Sequence, residues 1–173
     1  MNLIKEKINY NLINILLESN YQKINKLYKQ YHSWQKAIYN INYDSKKYNP
    51  EKEYQKLKKL NIELILKQEK NYPALLKEIP FAPYGIYVLG NPNILNEKSV
   101  AIVGTRKATS EGKIIAKKFS FELASYNLNI VSGLALGIDS AAHFGALEAE
   151  GKTIAVLGSG FFKYLSKNKS KFS

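Results

Sequence analysis

Three glycine-containing turns each follow a short apolar segment in the second half of the sequence. They comprise Gly104, Thr105, Arg106 and Lys107 in the first turn, Ser132, Gly133 and Gly137 in the second, and Gly158, Ser159 and Gly160 in the third. Backbone N–H groups in such turns, together with the N-termini of the helices that follow them, bind anions and especially phosphate. We therefore predict a phosphate-binding surface formed by these residues.

Arg106 is the most informative of these residues, because it is the only arginine among 26 cationic side chains. A planar guanidinium can hold a phosphate with two hydrogen bonds, which a lysine ammonium cannot do. We predict that Arg106 contacts phosphate. A surface ion pair with an acid such as Glu111 is the alternative, and the sequence leaves the role of Lys107 open.

Two well-known phosphate-binding motifs do not fit these turns. The dinucleotide fingerprint needs a second glycine at the position of Arg106, where a side chain would block close approach of a pyrophosphate. The P-loop needs four residues between its glycines, and five separate Gly145 from Gly151. The sequence therefore predicts no nucleotide cofactor.

Asp139 and His143 stand four residues apart and so share one face of a helix. With Ser132 they suggest a Ser-His-Asp arrangement, but the G-x-S-x-G turn of such a nucleophile is absent. Asp139 is better interpreted as the N-cap of the helix, and His143 as packing at the edge of the turns. We expect both to be structural and expect no catalytic residue.

The turns are positioned by apolar strands that alternate with helices. Strands are predicted at residues 100–103, 129–131 and 153–157, and helices at 110–125 and 139–148. This alternation is typical of a β-α-β-α-β unit with a parallel sheet, in which all strand ends and their turns meet at one edge. Ile115, Phe119 and Leu123 fall on one face of the first of these helices.

The preceding residues divide into two predicted regions. Residues 1–60 show only helical patterns, and their aromatic residues are more simply core than a base-stacking surface. Residues 61–98 are predicted to be a connector with short strands at 62–66 and 86–89 and prolines that keep the chain extended. Residues 99–173 then form the α/β domain. The predicted fold class is α/β: an incomplete parallel sheet of three to four strands after a small helical N-terminal domain.

The amino-acid composition argues against some classes of function and favours others. The 173 residues carry a net charge of +12 and no cysteine, and the two histidines make a histidine-built metal site improbable. The basic residues concentrate at both ends, which favours a polyanion partner, although drift in an AT-biased genome explains the lysines equally well. The lysines from Lys163 to Lys171 either add contacts or form a solvated terminus.

With no secretory signal or membrane span, a cytoplasmic protein is expected.

One segment has the pattern of a known protein family. The residues from Val131 to His143, VSGLALGIDSAAH, closely resemble the S-G-L-A-x-G-I-D-x-x-A-H signature of the DNA-processing protein family DprA/Smf. Three other stretches agree with the family. They are Tyr72–Leu76 with Pro83 and Tyr87–Asn91, Val100–Arg106 with Gly112, and Gly151–Gly160. The resemblance covers about residues 60–165.

This resemblance implies a Rossmann-like domain that binds single-stranded DNA without catalysis. It also implies a role in natural transformation, in which the family protects incoming strands and helps to load a RecA-type recombinase. Arg106 matches the turn arginine of the family, which implies contact with DNA phosphate. The surrounding loop positions are matched by Gly104, Thr105, Ser132, Gly133 and Gly137.

The sequence departs from the family near its C-terminal end. Family members continue far past the third strand, so we expect a truncated product, the first half of a frameshifted gene, or one half of a split protein. A homodimer or a complementing second chain is left open. Two other functions compete with DNA binding: half of a nucleoside-monophosphate phosphoribohydrolase, and a fragment with no autonomous function.

Overall fold

A computed structural model describes residues 2–158, which form two compact units. The first unit extends to Asn96, and the second begins at Glu97. The predicted connector therefore lies almost wholly within the first unit, while the assignment of separate domains at 1–60, 61–98 and 99–173 stays a prediction. Among the described residues, no helix is both long and apolar enough to cross a membrane.

The first unit combines helices with one pair of strands. Its elements are α1 (Leu3–Leu16), α2 (Tyr21–Tyr31), α3 (Trp34–Ile38), α4 (Pro50–Lys59), β1 (Ile62–Leu66), α5 (Ala74–Glu78), β2 (Gly85–Leu89) and a 3₁₀-helix (Pro92–Asn96). β1 and β2 pair antiparallel, from Ile62 opposite Leu89 to Leu66 opposite Gly85. Both predicted strands are therefore confirmed. The extended chain expected around the prolines is interrupted by α5, which begins directly after Pro73.

An aromatic core and a buried carboxylate hold the first unit together. The fully buried Trp34 ring lies 4.8–5.2 Å, centroid to centroid, from the rings of Tyr10, Tyr28 and Tyr84. The buried Glu6 carboxylate accepts hydrogen bonds from the Ser33 hydroxyl at 2.6 Å and the Trp34 N–H at 2.7 Å. It therefore satisfies donors at the start of α3. Tyr10, Trp34 and Tyr54 are buried in the core, as expected, while Tyr39 is exposed.

The second unit is a β-α-β-α-β arrangement. Its elements are β3 (Ser99–Ala101), α6 (Ser110–Ser125), β4 (Asn129–Ser132), α7 (Ile138–Glu148) and β5 (Thr153–Ala155). The three strands form a parallel sheet in the order β3-β4-β5. Ala101 pairs with Val131, and Val131 pairs with Ile154. The predicted α/β fold with a small parallel sheet is confirmed.

Small residues pack α6 against α7. The core of the second unit contains Ala124, Ile130, Ala142 and Ala146. On α6 the buried residues are Ala116, Ser120 and Ala124. The Ser120 hydroxyl donates to the Ala142 carbonyl, and a side chain at Gly145 would overlap a carbonyl oxygen of α6. The helices therefore approach too closely for large side chains at their contact.

The buried face of α6 is not its most apolar one. Ile115, Phe119 and Leu123 share one face at helical spacing, yet Ile115 and Phe119 are exposed and Leu123 is only partly buried. The face that packs carries alanine and serine. Packing distance, and not hydropathy alone, therefore selects the buried face.

The second unit leaves aliphatic side chains uncovered on its sheet. Register places Ala101, Val131 and Ile154 on one face. Ala101 is exposed, and the other two are only partly buried. Val103, two residues after β3, and Val156, which directly follows β5, are also exposed. Parallel sheets normally have both faces covered, and this uncovered sheet face has no covering layer among the described residues of the second unit.

Candidate anion-binding site at the strand ends

The turns after β3 and β4 lie side by side and are joined by the first residues of α7. The Ile138 N–H donates to the Thr105 carbonyl at 3.2 Å. The Gly104 N–H and the Gly133 N–H both donate to the side chain of Asp139. The structure therefore brings the first two predicted turns together, as the parallel sheet requires.

Asp139 performs a different task from the one its sequence position suggests. Gly104 donates to Asp139 Oδ1 at 3.2 Å, and Gly133 donates to Oδ2 at 3.1 Å. The N-cap of α7 is Gly137, and no side chain caps the helix. The predicted N-cap was wrong, because the carboxylate satisfies donors of two other segments instead of its own helix.

Gly137 makes this arrangement possible. Its φ of 90° and ψ of −125° lie in a region that residues with a Cβ avoid. A Cβ at this position would overlap the Thr105 carbonyl oxygen and lie 2.9 Å from the carbonyl oxygen of Arg106. The two turns can approach this closely only with glycine here. Gly137 is therefore required for packing of the two turns, and its predicted contact with phosphate stays a prediction.

Arg106 is exposed and makes no hydrogen bond or ion pair with any described residue. The alternative ion pair with Glu111 does not form. Lys107 is exposed as well, and its backbone N–H donates to the Thr105 hydroxyl at 3.1 Å. A guanidinium without a carboxylate partner among the described residues, in the turn that follows β3, is free to receive a phosphate.

Several backbone donors near Arg106 are also unused. Thr105, Arg106 and residues 134–136 donate their N–H groups to no other described residue. Leu134 adopts a left-handed backbone conformation with a φ of 56°. These residues follow the strand ends, where loop N–H groups bind anions in open α/β sheets. We refer to Arg106 and these N–H groups together as the rim.

The two glycine N–H groups at the base of the turns are already occupied. Gly104 and Gly133 donate to Asp139 and are not free to donate to a ligand. The Ser132 hydroxyl is buried and donates to the Ile102 carbonyl at 2.6 Å. The phosphate-contact role predicted for these three residues stays a prediction, and their observed bonds support a role beneath the rim.

His143 lies in the interior of the second unit. Its Nδ1 is 2.6 Å from the Thr153 hydroxyl, which donates to the Ile130 carbonyl at 2.8 Å. Since that hydroxyl has one proton, Nδ1–H of the neutral imidazole is the donor to it. Burial lowers the pKa of His143, and the nearby Asp139 charge acts in the opposite direction. His143 is therefore neutral at pH 7.

A Ser-His-Asp triad does not form. Ser132, His143 and Asp139 each hydrogen-bond to a different partner: a strand carbonyl, a threonine hydroxyl and two glycine N–H groups. Within residues 2–158, no cluster of histidine, aspartate and glutamate could hold a metal ion. The described geometry is suited to binding an anion at exposed donors.

The third predicted turn is described only in part. A side chain at Gly158 would meet no atom within 4 Å. Ser159 and Gly160 lie outside the described residues, as do the lysines from Lys163 to Lys171. Their contribution to phosphate binding stays a prediction.

Sequence reasoning missed the bridging role of Asp139. The sequence contained one signal for this role. Asp139 lies two positions after Gly137, in a turn whose first glycine, Gly133, follows a predicted strand. That pattern is also typical of helix capping, so the sequence alone favours the local interpretation. Only the parallel pairing of β3 and β4 brings the Gly104 N–H within reach of the carboxylate.

The chain is similar to a family of DNA-processing proteins. A sequence model of the family described as DNA recombination-mediator protein A matches residues 63–173, which is more than half of the chain. Protein Smf of Synechocystis sp. is 39% identical over 117 residues, covering 65% of this chain and 29% of that protein. DNA processing protein DprA of Streptococcus pneumoniae is 44% identical over 96 residues, covering 56% and 34%, respectively.

A solved structure agrees with these sequence relatives. The X-ray structure of DNA processing protein A from Streptococcus pneumoniae matches with a TM-score of 0.57 and 32% sequence identity. The match covers 79% of this chain and 46% of that chain. The chain thus spans about a third of the length of the curated relatives and under half of the solved structure.

Proposed function

The chain belongs to the DNA recombination-mediator protein A family, and on that premise we propose that its second unit binds the phosphates of single-stranded DNA at the rim. The observation that carries the proposal is the exposed Arg106 guanidinium, which has no partner among the described residues. A free guanidinium beside unused backbone N–H groups provides the donors that a phosphate needs.

The chemistry of the rim favours phosphate over other anions. Arg106 supplies two parallel N–H donors that match two phosphate oxygens, and the N–H groups of residues 134–136 supply further donors in the adjacent turn. The donors come from two turns rather than one. Donors in two turns can contact successive phosphates of a flexible single strand.

Charge elsewhere in the chain supports a polyanionic ligand. The net charge is +12, and residues 1–72 contribute 14 lysines against seven acids. Such an excess raises the rate and strength of nonspecific association with nucleic acid at low salt. The base-independent character of phosphate contacts means that binding should tolerate changes in DNA sequence.

We propose that the chain binds single-stranded DNA without catalysing a reaction and thereby contributes to DNA processing. Relatives carry the name DNA processing protein, and the family description names a recombination mediator. We extend this to loading of a RecA-type recombinase during natural transformation, with homodimerisation as part of the same proposal. Addition of this chain should speed assembly of a RecA-type filament on single-stranded DNA. An unchanged assembly rate would contradict the recombinase role but not the proposed DNA binding.

Binding is tested by fluorescence anisotropy of a labelled oligo-dT at two salt concentrations. We expect binding that duplex DNA and thymidine monophosphate displace poorly. Arg106→Ala should weaken it about 10- to 100-fold, since one charge-assisted contact is lost. The matched control is Lys118→Ala, which removes one exposed charge from the middle of α6. Equal effects of the two substitutions would contradict a specific role for Arg106.

A second candidate function is supported by the uncovered sheet face. The exposed Val103 and Val156 suggest a unit that acts only when another polypeptide covers this face. Val156→Lys should then reduce concentration-dependent association in sedimentation experiments, together with any oligo-dT binding that depends on that association. A wild-type chain that stays monomeric at high concentration and binds DNA would exclude this candidate.

A further inference from the structure

We propose that Asp139 is the positioning residue of the rim: its carboxylate joins the turns after β3 and β4 and thereby sets the spacing between Arg106 and the N–H groups of residues 134–136. The inference rests on the proposed function, because spacing matters only for a ligand that contacts both turns. Asp139 itself contacts no DNA in this proposal and acts through the two turns.

The geometry of the carboxylate supports this role. Each oxygen accepts a hydrogen bond from a different turn, at 3.2 Å from Gly104 and 3.1 Å from Gly133. The side chain of Asp139 is buried, with only 6% of the residue exposed. Hydrogen bonds to a buried charged group are stronger than neutral ones, so both turns are held firmly. An asparagine at this position would offer only one acceptor atom.

The glycine positions of both turns also lie close to the first residues of α7. A Cβ at Gly104 would lie 2.7 Å from the Ile138 side chain, and a Cβ at Gly133 would lie 2.7 Å from Asp139 Oδ2. Both turns therefore press against the start of α7 at their glycine positions. Since Arg106 is two residues from Gly104, movement of this contact also moves the guanidinium.

The charge of Asp139 and its positioning role have opposite effects on DNA binding. A carboxylate near the rim repels phosphate, so its neutralisation alone would tighten binding. Loss of the bridge would separate the turns and weaken binding. The sign of the change in affinity therefore distinguishes a positioning residue from a merely unfavourable charge.

The experiment compares Asp139→Asn with Glu111→Gln, a matched neutralisation at an exposed position in the first turn of α6. We expect Asp139→Asn to weaken oligo-dT binding about tenfold or more, as for loss of a charge-assisted contact. Glu111→Gln should leave binding unchanged or slightly tighter. Affinity of Asp139→Asn equal to or tighter than wild type would overturn the proposal.

A double-mutant cycle separates positioning from general destabilisation. If Asp139 acts through Arg106, then Arg106→Ala should weaken binding much less in the Asp139→Asn background than in wild type. It should also lower the slope of log affinity against log salt by about 0.7 in wild type, and by less in the variant. Fully additive effects would overturn the link between the two residues.

A second variant serves if Asp139→Asn does not fold. Gly133→Ala keeps the charge but places a methyl group 2.7 Å from Asp139 Oδ2, so that the carboxylate must move. Weaker binding of this folded variant supports positioning, and unchanged binding opposes it. Amide hydrogen exchange provides a readout without DNA: the Gly104 and Gly133 amides should exchange faster in Asp139→Asn.

These outcomes keep the two proposals apart. If wild type does not bind oligo-dT, the proposed function fails whatever the exchange rates show. If wild type binds but Asp139→Asn leaves the Gly104 and Gly133 exchange rates unchanged, the positioning role fails and the proposed function stands.

Discussion

Substitution of Gly137 by alanine tests whether close approach of the two turns holds the second unit in its observed form. The φ of 90° and ψ of −125° impose strain of about 1–3 kcal/mol on any residue with a Cβ. The new methyl group would also overlap the Thr105 carbonyl oxygen. Movement of that carbonyl breaks its bond from the Ile138 N–H, which adds about 1 kcal/mol. We expect a total loss of roughly 3 kcal/mol.

The assay is hydrogen exchange of peptides covering β4 and α7, because it reports the second unit directly. A loss of this size should speed their exchange by roughly 100-fold under conditions where exchange follows unfolding. Gly158→Ala is the control, since its Cβ would have open space around it. The control should change stability by less than about 0.5 kcal/mol. Exchange of Gly137→Ala within threefold of wild type would refute the reasoning.

Three further predictions concern buried groups. Glu6→Ala leaves the Ser33 hydroxyl and the Trp34 N–H without an acceptor and should cost about 3 kcal/mol, measured by Trp34 fluorescence in urea; a cost below about 1 kcal/mol would oppose it. The folded-state pKa of His143 lies below its unfolded value of about 6.5, so the stability of the second unit should fall as the pH drops through that value. His143→Asn should reduce this fall between about pH 7.5 and 5, measured by hydrogen exchange of peptides covering β4 and α7 and corrected for the intrinsic pH dependence of exchange. Gly145→Ala should destabilise the α6–α7 contact by about 1–3 kcal/mol in the same exchange assay, and a neutral result would mean that the helices can separate without loss.

Local sequence patterns predicted the elements of the second unit well. The predicted helix 110–125 is α6, and the predicted strands at 129–131 and 153–157 overlap β4 and β5. These segments combine a clear hydrophobic periodicity with glycine-containing turns, so local preference and tertiary packing agree. Alternation of strands and helices then determined the parallel sheet, and with it the meeting of the first two turns.

Long-range packing explains what the sequence did not reveal. Which face of α6 is buried depends on the close approach of α7 at Ser120 and Gly145, and no pattern within α6 encodes that distance. The task of Asp139 likewise depends on Gly104, which lies 35 residues away in the chain. Both features arise from contacts between elements, while hydropathy and capping patterns describe one element at a time.

The candidate site likewise has one part that the sequence indicates and another that depends on contacts between elements. Arg106 could be selected as a candidate from the sequence, because its residue type is unique in the chain and its position follows a strand, and its contact with phosphate stays a prediction. The division between exposed donors and occupied donors was not predictable. Gly104, Ser132 and Gly133 lie in the predicted turns, yet all three already donate to groups within the second unit. Their occupation leaves Thr105, Arg106 and residues 134–136 as the described donors of the proposed phosphate-binding rim.

The most direct test of the account is an NMR titration of the ¹⁵N-labelled chain with unlabelled oligo-dT. We predict that the amides of Thr105, Arg106 and residues 134–136 shift in proportion to bound DNA. The Gly104 and Gly133 amides should shift less, because they stay bonded to Asp139. Shifts confined to residues 1–60, with the rim amides unchanged at saturation, would contradict DNA binding by the second unit.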